Sequence, residues 1–185
     1  MGKLIYSAHT SADGYTVDAT GSFDFTAPDE EVHEFVNDRE RGVGTYLFGR
    51  RMYETMSVWD SWDTTTEPRV VQDFSTIWSR ANKIVYSRSL HAVGTRNTRI
   101  EREFVPDDVR ALKESSREDL GIGGAMLAGE ALRAGLVDEI QLFLSPVMVG
   151  GGTRALPDDA RLTLELLDET RFASGVVYLR YKVAP

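Results

Sequence analysis

The residues of this sequence best suited to bind an anion are two adjacent glycines that precede a helical pattern. Gly123 and Gly124 end a buried apolar run, and Ala125 and Met126 begin the helical pattern. Glycine lets backbone amides come close to a ligand, and the N-terminus of a helix is its positive end. The stretch therefore predicts a seat for an anion, and specifically for a pyrophosphate. The same glycine pair is also compatible with a tight turn that binds nothing.

A second glycine at a predicted strand end is followed by two arginines. Gly49, Arg50, Arg51 and Met52 lead from a short apolar strand into a second helical pattern. Amide donors and guanidinium groups both suit a phosphate. Ser87 and Arg88 place a hydroxyl and a cation at the end of a third predicted strand. The alternative for these arginines is a solvated surface position.

Two acidic residues are candidates for proton transfer. Asp13 follows the first predicted strand, at the end where open α/β sheets bind ligands. Glu31 lies four residues before Phe35, so the two are expected to share the inward face of a helix. A partly buried carboxylate would have its pKa raised toward useful values. The structural alternatives are a turn aspartate and a carboxylate that interacts with the helix dipole.

The elements that must position these residues alternate between strands and helices. Apolar runs and period-two patterns predict strands at 3–9, 45–49, 82–88, 98–104, 118–122, 139–149, 162–167 and 175–183. Helical patterns begin near residues 28, 49, 70, 106 and 125. This order predicts an α/β fold with a mostly parallel central sheet, helices on both faces and antiparallel C-terminal strands.

Composition limits the classes of function. The 185 residues suit a single domain, residues 1–185, and the net charge of −8 disfavours nucleic acids and anionic membranes as partners. There is no cysteine, which excludes disulfides, zinc thiolate sites and thiol catalysis, and no metal is expected. No apolar run approaches a membrane span, so a soluble cytoplasmic protein is expected. The C-terminal strands are expected to form a homodimer interface.

Six motifs, in order and with suitable spacing, resemble the RibD C-terminal domain family. That family is the riboflavin-pathway reductase branch of the dihydrofolate reductase fold. The resemblance covers nearly the whole chain. Each motif is weak alone, and only the six motifs in this order are specific for the family. The motifs are Ser11-x-Asp13-Gly14, Gly49-Arg50-x-x-Tyr53-Glu54, Ser87-Arg88, Gly123-Gly124, the stretch from Ala134 to Glu139, and Pro146 followed by Gly150-Gly-Gly152.

The resemblance implies a three-layer α/β/α reductase that uses NADPH. The glycine pair would hold the pyrophosphate, and the turns at 49–52 and 87–88 would flank the adenosine end and its 2′-phosphate. The nicotinamide would lie near Ala8. The substrate, a pyrimidine, pterin-like or ribosylamine compound, would face Asp13, Glu31, Phe143 and Gly151. Arg154, just after the triple glycine, is the candidate for a substrate phosphate.

The sequence departs from the dihydrofolate reductases proper. It has no Trp-Pro element after the first strand, and Phe143 stands about where those enzymes carry a threonine. Folate reduction is therefore less supported than a riboflavin-type reduction. The zinc deaminase joined to this domain in bifunctional relatives needs cysteine ligands, which this chain lacks. A nucleotide-binding paralogue without catalysis is the remaining alternative.

Overall fold

Ten strands and five α-helices make up the computed structural model, which describes residues 1–184. The strands are β1 (Leu4–Ser11), β2 (Tyr15–Asp18), β3 (Val43–Gly49), β4 (Asn82–Tyr86), β5 (Thr98–Glu101), β6 (Asp119–Gly123), β7 (Glu139–Ser145), β8 (Gly152–Arg154), β9 (Leu164–Arg171) and β10 (Val177–Val183). The helices are α1 (Glu30–Glu40), α2 (Arg50–Met56), α3 (Arg69–Arg80), α4 (Pro106–Ser115) and α5 (Ala125–Arg133).

Eight of these strands form one sheet in the order β5-β4-β3-β6-β1-β7-β10-β9. Neighbours from β5 to β7 are parallel, whereas β10 runs antiparallel to both β7 and β9. The predicted α/β class, with a mostly parallel sheet and antiparallel C-terminal strands, is confirmed. Strands β2 and β8 pair separately as a small antiparallel sheet.

Helices cover both faces of the sheet because its central strands, such as β1, β3 and β7, carry apolar side chains on both sides. On one face, α4 and α5 pack with Val109 and Leu127 onto the β1 and β6 side chains Leu4 and Leu120. On the other face, α3 packs onto the aromatic side chains of β3, and α1 packs with Val32 over β7 and β10. These two layers are called the α5 face and the α1 face below.

Alternate glycines in β6 make room for aromatic rings of the neighbouring strand. A methyl group at Gly121 would lie 2.8 Å from Cδ1 of Tyr46, and one at Gly123 would lie 2.6 Å from Cε1 of Phe48. The rings of Tyr46 and Phe48 stack at 5.5 Å and lie under Trp78 of α3. Gly123 therefore has a packing role that is independent of any ligand.

The structure differs from the predicted elements mainly at strand ends. Strands β4, β5 and β7 end before the residues that the pattern includes, and β9 starts and ends later. The short strands β2 and β8 were not predicted, because three or four residues around glycines carry no clear alternation. Among residues 1–184, no helix has the length and apolar character needed to cross a membrane.

Candidate functional site

The carboxyl ends of the parallel strands bring the predicted ligand seats to one edge of the sheet. Gly49 pairs with Tyr86, and Phe48 pairs with Gly123, so β3, β4 and β6 end at about the same level. Strand β1 runs further, since it pairs with β7 as far as Ser11 and Ser145. A gap therefore opens beside the last residues of β1, where β6 has already turned into α5. Open α/β sheets bind ligands in such a gap.

The N-terminus of α5 has the geometry expected of an anion seat. Gly124 precedes the helix with a φ of +90°, a conformation that side chains rarely adopt, and a methyl group there would lie 3.3 Å from Cβ of Met52. No side chain caps the helix, so its first amides are free to bind a ligand. Ala125 is partly exposed and Met126 is largely exposed at this end.

A cavity of about 490 Å³ adjoins this helix end. One wall is the side of α5 that carries Ala125, Met126 and Gly129. The opposite wall is β8 and the segment after it, from Gly152 to Asp158, with Tyr15 at the side. The chain can pass so close to β2 at this point because Gly152 has a φ of +128° and no side chain. The cavity thus reaches the predicted phosphate seat at the start of α5.

Arg154 lies in this cavity wall, opposite Tyr15 in the pairing of β8 with β2. Its guanidinium group stands over the Tyr15 ring at 5.0 Å and pairs with the Asp158 carboxylate at 3.2 Å. A second arginine of the wall, Arg133, is held by Asp159 at 2.8 Å. Both ion pairs are largely exposed to solvent. Two guanidinium groups thus flank the cavity, each tethered by one of two consecutive aspartates.

The arginines near α2 differ in how firmly they are held. Arg50 donates to the Glu54 carboxylate at 2.6 Å and to the Ser89 hydroxyl at 3.1 Å. Arg51 is exposed at the first turn of the same helix. Met52 packs with the aromatic side chains of β3 and lies against Gly124. It therefore brings the turn at Gly49 into contact with the turn at Gly124.

The Ser87-Arg88 pair is only partly available to a ligand. The Ser87 hydroxyl is buried and accepts a hydrogen bond from the Leu90 amide at 3.0 Å, so it stabilises the turn after β4. Arg88 is 83% exposed, and its guanidinium nitrogen lies 3.6 Å from the Glu103 carboxylate. Such an exposed, loosely paired arginine can move toward an anionic ligand.

The carboxylate of Asp13 binds the loop that follows β7. It accepts hydrogen bonds from the amides of Val149, at 3.1 Å, and Gly150, at 2.8 Å. Hydrogen bonds from Ser11 and from these amides lower the pKa of Asp13 below its usual value. The expectation of a raised pKa is therefore wrong for Asp13, which is ionised at neutral pH.

Glu31 lies on the exposed side of α1, whereas the next residue, Val32, is buried. Its carboxylate accepts a hydrogen bond from the Ala173 amide at 3.0 Å, in the turn between β9 and β10. Glu31 shares with Phe35 the side of α1 that meets this hairpin, since Phe35 packs against Phe172, but the Glu31 side chain is exposed and does not reach into the interior. The carboxylate remains in contact with solvent at the start of α1.

The three remaining predicted residues occupy different layers. Ala8 is 7% exposed, and its methyl group packs in the core of the α5 face. Phe143 is 1% exposed on the α1 face, where the His9 ring stacks on it at 4.5 Å. Gly151 lies between Gly150, bound by Asp13, and the start of β8, with open space around it. Phe143 is therefore too deeply buried to contact a ligand directly.

Sequence reasoning missed several residues of this region. Tyr15 directly follows the Asp13-Gly14 turn, and Asp158 lies four residues after Arg154, which is a spacing typical of ion pairs. Arg133 and His9 gave no pattern of their own. Their proximity to the site depends on how far β1 extends past β6 and on the path of the chain after β8.

The chain matches the RibD C-terminal domain family over residues 2–178. It belongs to that family. The uncharacterized protein YyaP of Bacillus subtilis (strain 168) is 26% identical over 184 residues, which cover 97% of this chain and 94% of YyaP. The suspected resemblance to this family is confirmed.

Solved structures show the same fold at low sequence identity. A protein from Shewanella sp. PV-4 assigned to riboflavin biosynthesis superposes with a TM-score of 0.77 at 17% identity, over 99% of both chains. The Thermotoga maritima diaminohydroxyphosphoribosylaminopyrimidine deaminase/5-amino-6-(5-phosphoribosylamino)uracil reductase gives 0.68 at 14% identity, over 99% of this chain but 57% of the Thermotoga chain. Enterococcus faecalis dihydrofolate reductase, complexed with NADP(H) and RAB-propyl, gives 0.63 at 14% identity, over 100% and 98%. The dihydrofolate reductase-like fold is confirmed.

Proposed function

We propose that this member of the RibD C-terminal domain family is an NADPH-dependent reductase of a pyrimidine, pterin-like or ribosylamine compound. The family and the reductases that share its fold support an oxidoreductase. The observation that carries the proposal is the cavity between the uncapped N-terminus of α5 and the arginine of β8. Its residues fit the pyrophosphate of a dinucleotide.

In this proposal the pyrophosphate lies between two kinds of donor. The free amides at the start of α5 contact it from one side, and the Arg154 guanidinium contacts it from the other. Exposed ion pairs contribute about 0–1 kcal/mol, so the phosphate can readily replace Asp158 as the partner of Arg154. Arg154 is thus reassigned from a substrate phosphate to the cofactor, because it shares a cavity with Ala125 and Met126.

The adenosine end would lie along α2 toward the turn after β4. Arg51, which is exposed, and Arg88, which is loosely paired, are the cations available for a 2′-phosphate. Arg50 is tied to Glu54 and Ser89, and so fixes the spacing between α2 and this turn. A local cluster of arginines explains how an acidic chain can bind an anionic cofactor.

When bound, the reduced nicotinamide supplies a hydride to the carbon of a C=N or C=O group, whose heteroatom takes up a proton. The residues of this chain contribute orientation, exclusion of water and a route for that proton. Asp13 stays ionised and holds the β7–β8 loop in place through Val149 and Gly150. Glu31 is in contact with solvent, and therefore remains our candidate for the proton relay.

Steady-state oxidation of NADPH tests this proposal. Dihydrofolate and 5-amino-6-(5-phosphoribosylamino)uracil serve as the acceptors, and we expect turnover with the second. The variant Arg154→Met is expected to raise the KM for NADPH about tenfold, since a charge-assisted hydrogen bond is lost. Arg161→Met, at an exposed arginine before β9, is the matched control.

Two results would count against this account. If Arg154→Met leaves the KM for NADPH unchanged and raises the KM for the phosphorylated acceptor, then Arg154 binds the phosphate of the substrate and not that of the cofactor. No NADPH oxidation with either acceptor, together with no binding of NADPH, would rule out the reductase itself.

A further inference from the structure

Met126 is a large apolar side chain that the core of the protein does not use. Of the large apolar side chains in residues 1–184, only that of Met1 is more exposed, and Met126 itself is 79% exposed. It belongs to none of the three hydrophobic clusters that form the core. Burial therefore gives no reason for a methionine at this position, and its thioether is accessible to small reagents in solution.

Met126 is the second residue of α5 and lines the cavity described above. Side chains of a helix lean toward its N-terminus, so the Met126 thioether is directed toward the end of α5 that faces the proposed pyrophosphate. No side chain caps this end, which leaves the first amides free to bind an anion. A chemical change at the Met126 sulfur therefore acts directly on the anion seat.

The chain has no cysteine, so its sulfur chemistry is confined to five methionines. Met52 and Met56 are partly buried beside the aromatic side chains of β3. Met148 is 77% exposed, in the loop after β7, and is not part of the α5 cavity wall. Since exposure governs the oxidation of methionine, Met126 and Met148 are expected to react before Met52 and Met56. Met148 serves as a matched reference outside the cavity.

A hydroperoxide oxidises such a thioether by transfer of one oxygen atom. For hydrogen peroxide, a sulfur lone pair attacks one oxygen, the S–O bond forms as the O–O bond breaks, and the second oxygen leaves with both protons as water. The sulfur is oxidised to a sulfoxide, and the peroxide is reduced. A methionine sulfoxide reductase reverses the change with a dithiol, which becomes a disulfide while the oxygen leaves as water.

The sulfoxide changes the polarity of the cavity at the start of α5. It replaces an apolar thioether by a dipolar S–O group, whose oxygen accepts hydrogen bonds. At the second residue of α5, this oxygen competes with a phosphate for the free amides of the helix, and it repels the negative charge of that phosphate. The affinity for a phosphate bound at this seat is therefore expected to fall.

We propose that Met126 is a site of reversible oxidation by hydroperoxides, and that its sulfoxide weakens the binding of the dinucleotide. The effect on binding rests on the proposed reductase function, whereas the faster oxidation of Met126 than of the partly buried methionines does not. A dinucleotide bound at α5 covers the thioether in turn. Cofactor and oxidant thus exclude each other at this helix end.

Peroxide footprinting tests the accessibility of each thioether. The purified chain is treated with hydrogen peroxide, with and without saturating NADP⁺, and mass spectrometry of its peptides follows oxidation at each methionine. We expect Met126 and Met148 to react at least about fivefold faster than Met52 and Met56. Saturating NADP⁺ should slow Met126 by about fivefold or more and leave Met148 within about twofold, since only Met126 lines the occupied cavity.

The affinity for NADPH gives the second readout. Calorimetry follows removal of the peroxide for the wild type, Met126→Leu and Met148→Leu, and each is compared with its own untreated sample. We expect oxidation to raise the Kd for NADPH about tenfold in the wild type and in Met148→Leu, and less than about twofold in Met126→Leu, which has no sulfur at this position. Methionine sulfoxide reductases with a dithiol should restore the Kd of the oxidised wild type.

The variant Met126→Gln reproduces the polarity of the sulfoxide without peroxide. Its amide oxygen lies at a similar distance from the main chain, so this variant should bind NADPH more weakly than Met126→Leu. Melting temperatures show whether peroxide unfolds the protein, in which case the comparison of these two variants decides. Equal NADPH affinity of Met126→Gln and Met126→Leu would count against the inference.

Three further outcomes would overturn the inference while the reductase proposal stands. These are oxidation of Met126 no faster than that of Met52, an unchanged Kd for NADPH in the folded, oxidised wild type, and an equal rise of that Kd in oxidised Met126→Leu. Equal protection of Met126 and Met148 by NADP⁺ would also overturn it, since the dinucleotide would then not specifically cover α5. Absence of NADPH binding to the untreated wild type would instead overturn the reductase proposal, and with it the effect on binding.

Discussion

At the scale of single residues, Asp13 accepts hydrogen bonds from two consecutive amides of the loop between β7 and β8. Its folded pKa is lowered, so the stability that it contributes is complete above the usual pKa and is lost as the pH falls through the folded value. We predict that Asp13→Asn increases hydrogen exchange at Val149 and Gly150 at neutral pH. Mass spectrometry at pH 7 measures this. Equal exchange in the variant and the wild type would show that the contact does not hold the loop.

The second residue-scale prediction concerns the charge of His9. Its folded pKa of about 4 lies below the ordinary value of 6.5 because burial disfavours the charged ring, so the folded state resists protonation. As the pH decreases from 6.5 to about 4, the free energy of unfolding should therefore fall by on the order of 3 kcal/mol. We predict that His9→Phe reduces this dependence. NMR titration of the ring checks the pKa directly, and a midpoint near 6.5 would contradict the burial argument.

At the scale of elements, β6 packs closely against β3 because its alternate residues are glycines. We predict that Gly121→Ala lowers the free energy of unfolding by about 1–3 kcal/mol, since its methyl group would meet the Tyr46 ring at 2.8 Å. Gly42→Ala has open space and serves as the control. Urea denaturation measures both. Equal stability of the two variants would mean that the ring moves aside without cost.

The regular elements could be predicted from the sequence, whereas the contacts made by individual side chains could not. Apolar patterning predicted the order of strands and helices along the chain. The turn at Gly124 was identified because a glycine before a helix can adopt a backbone conformation that other residues avoid. The sequence made Glu31 a candidate by its helical spacing and Ser87 a candidate by its hydroxyl group. In the structure each accepts a hydrogen bond from a backbone amide instead. Such bonds depend on which loop passes nearby, and local sequence carries no information about that.

At the scale of the whole molecule, two features of the site come from chain paths that are distant in sequence. Arg154 reaches the cavity of α5 because β8 pairs with β2, a contact that no local pattern indicates. His9 borders the gap because β1 is longer than β6 on the carboxyl side. The predicted substrate role of Arg154 was based on sequence order, and the fold instead places it beside the proposed cofactor seat.

The homodimer expected from the C-terminal strands remains a prediction. Strand β9 is at the edge of the sheet, and it exposes Leu166 by 52% and Leu167 by 39%. We expect light scattering to give about twice the chain mass of 20.6 kDa, and the double change Leu166→Asp and Leu167→Asp to give the monomer. A wild-type mass of one chain would contradict the expectation.

The central claim is that the gap and the α5 cavity bind a single phosphorylated dinucleotide. Calorimetric titration of the purified protein with NADPH, and separately with NADH, tests it most directly. We predict one NADPH bound per chain, at least about tenfold tighter than NADH, because exposed arginines of α2 and of the turn after β4 are available to the 2′-phosphate. Equal affinity for NADPH and NADH would show that these arginines do not bind the 2′-phosphate. No binding of either dinucleotide would contradict the proposed cofactor site altogether.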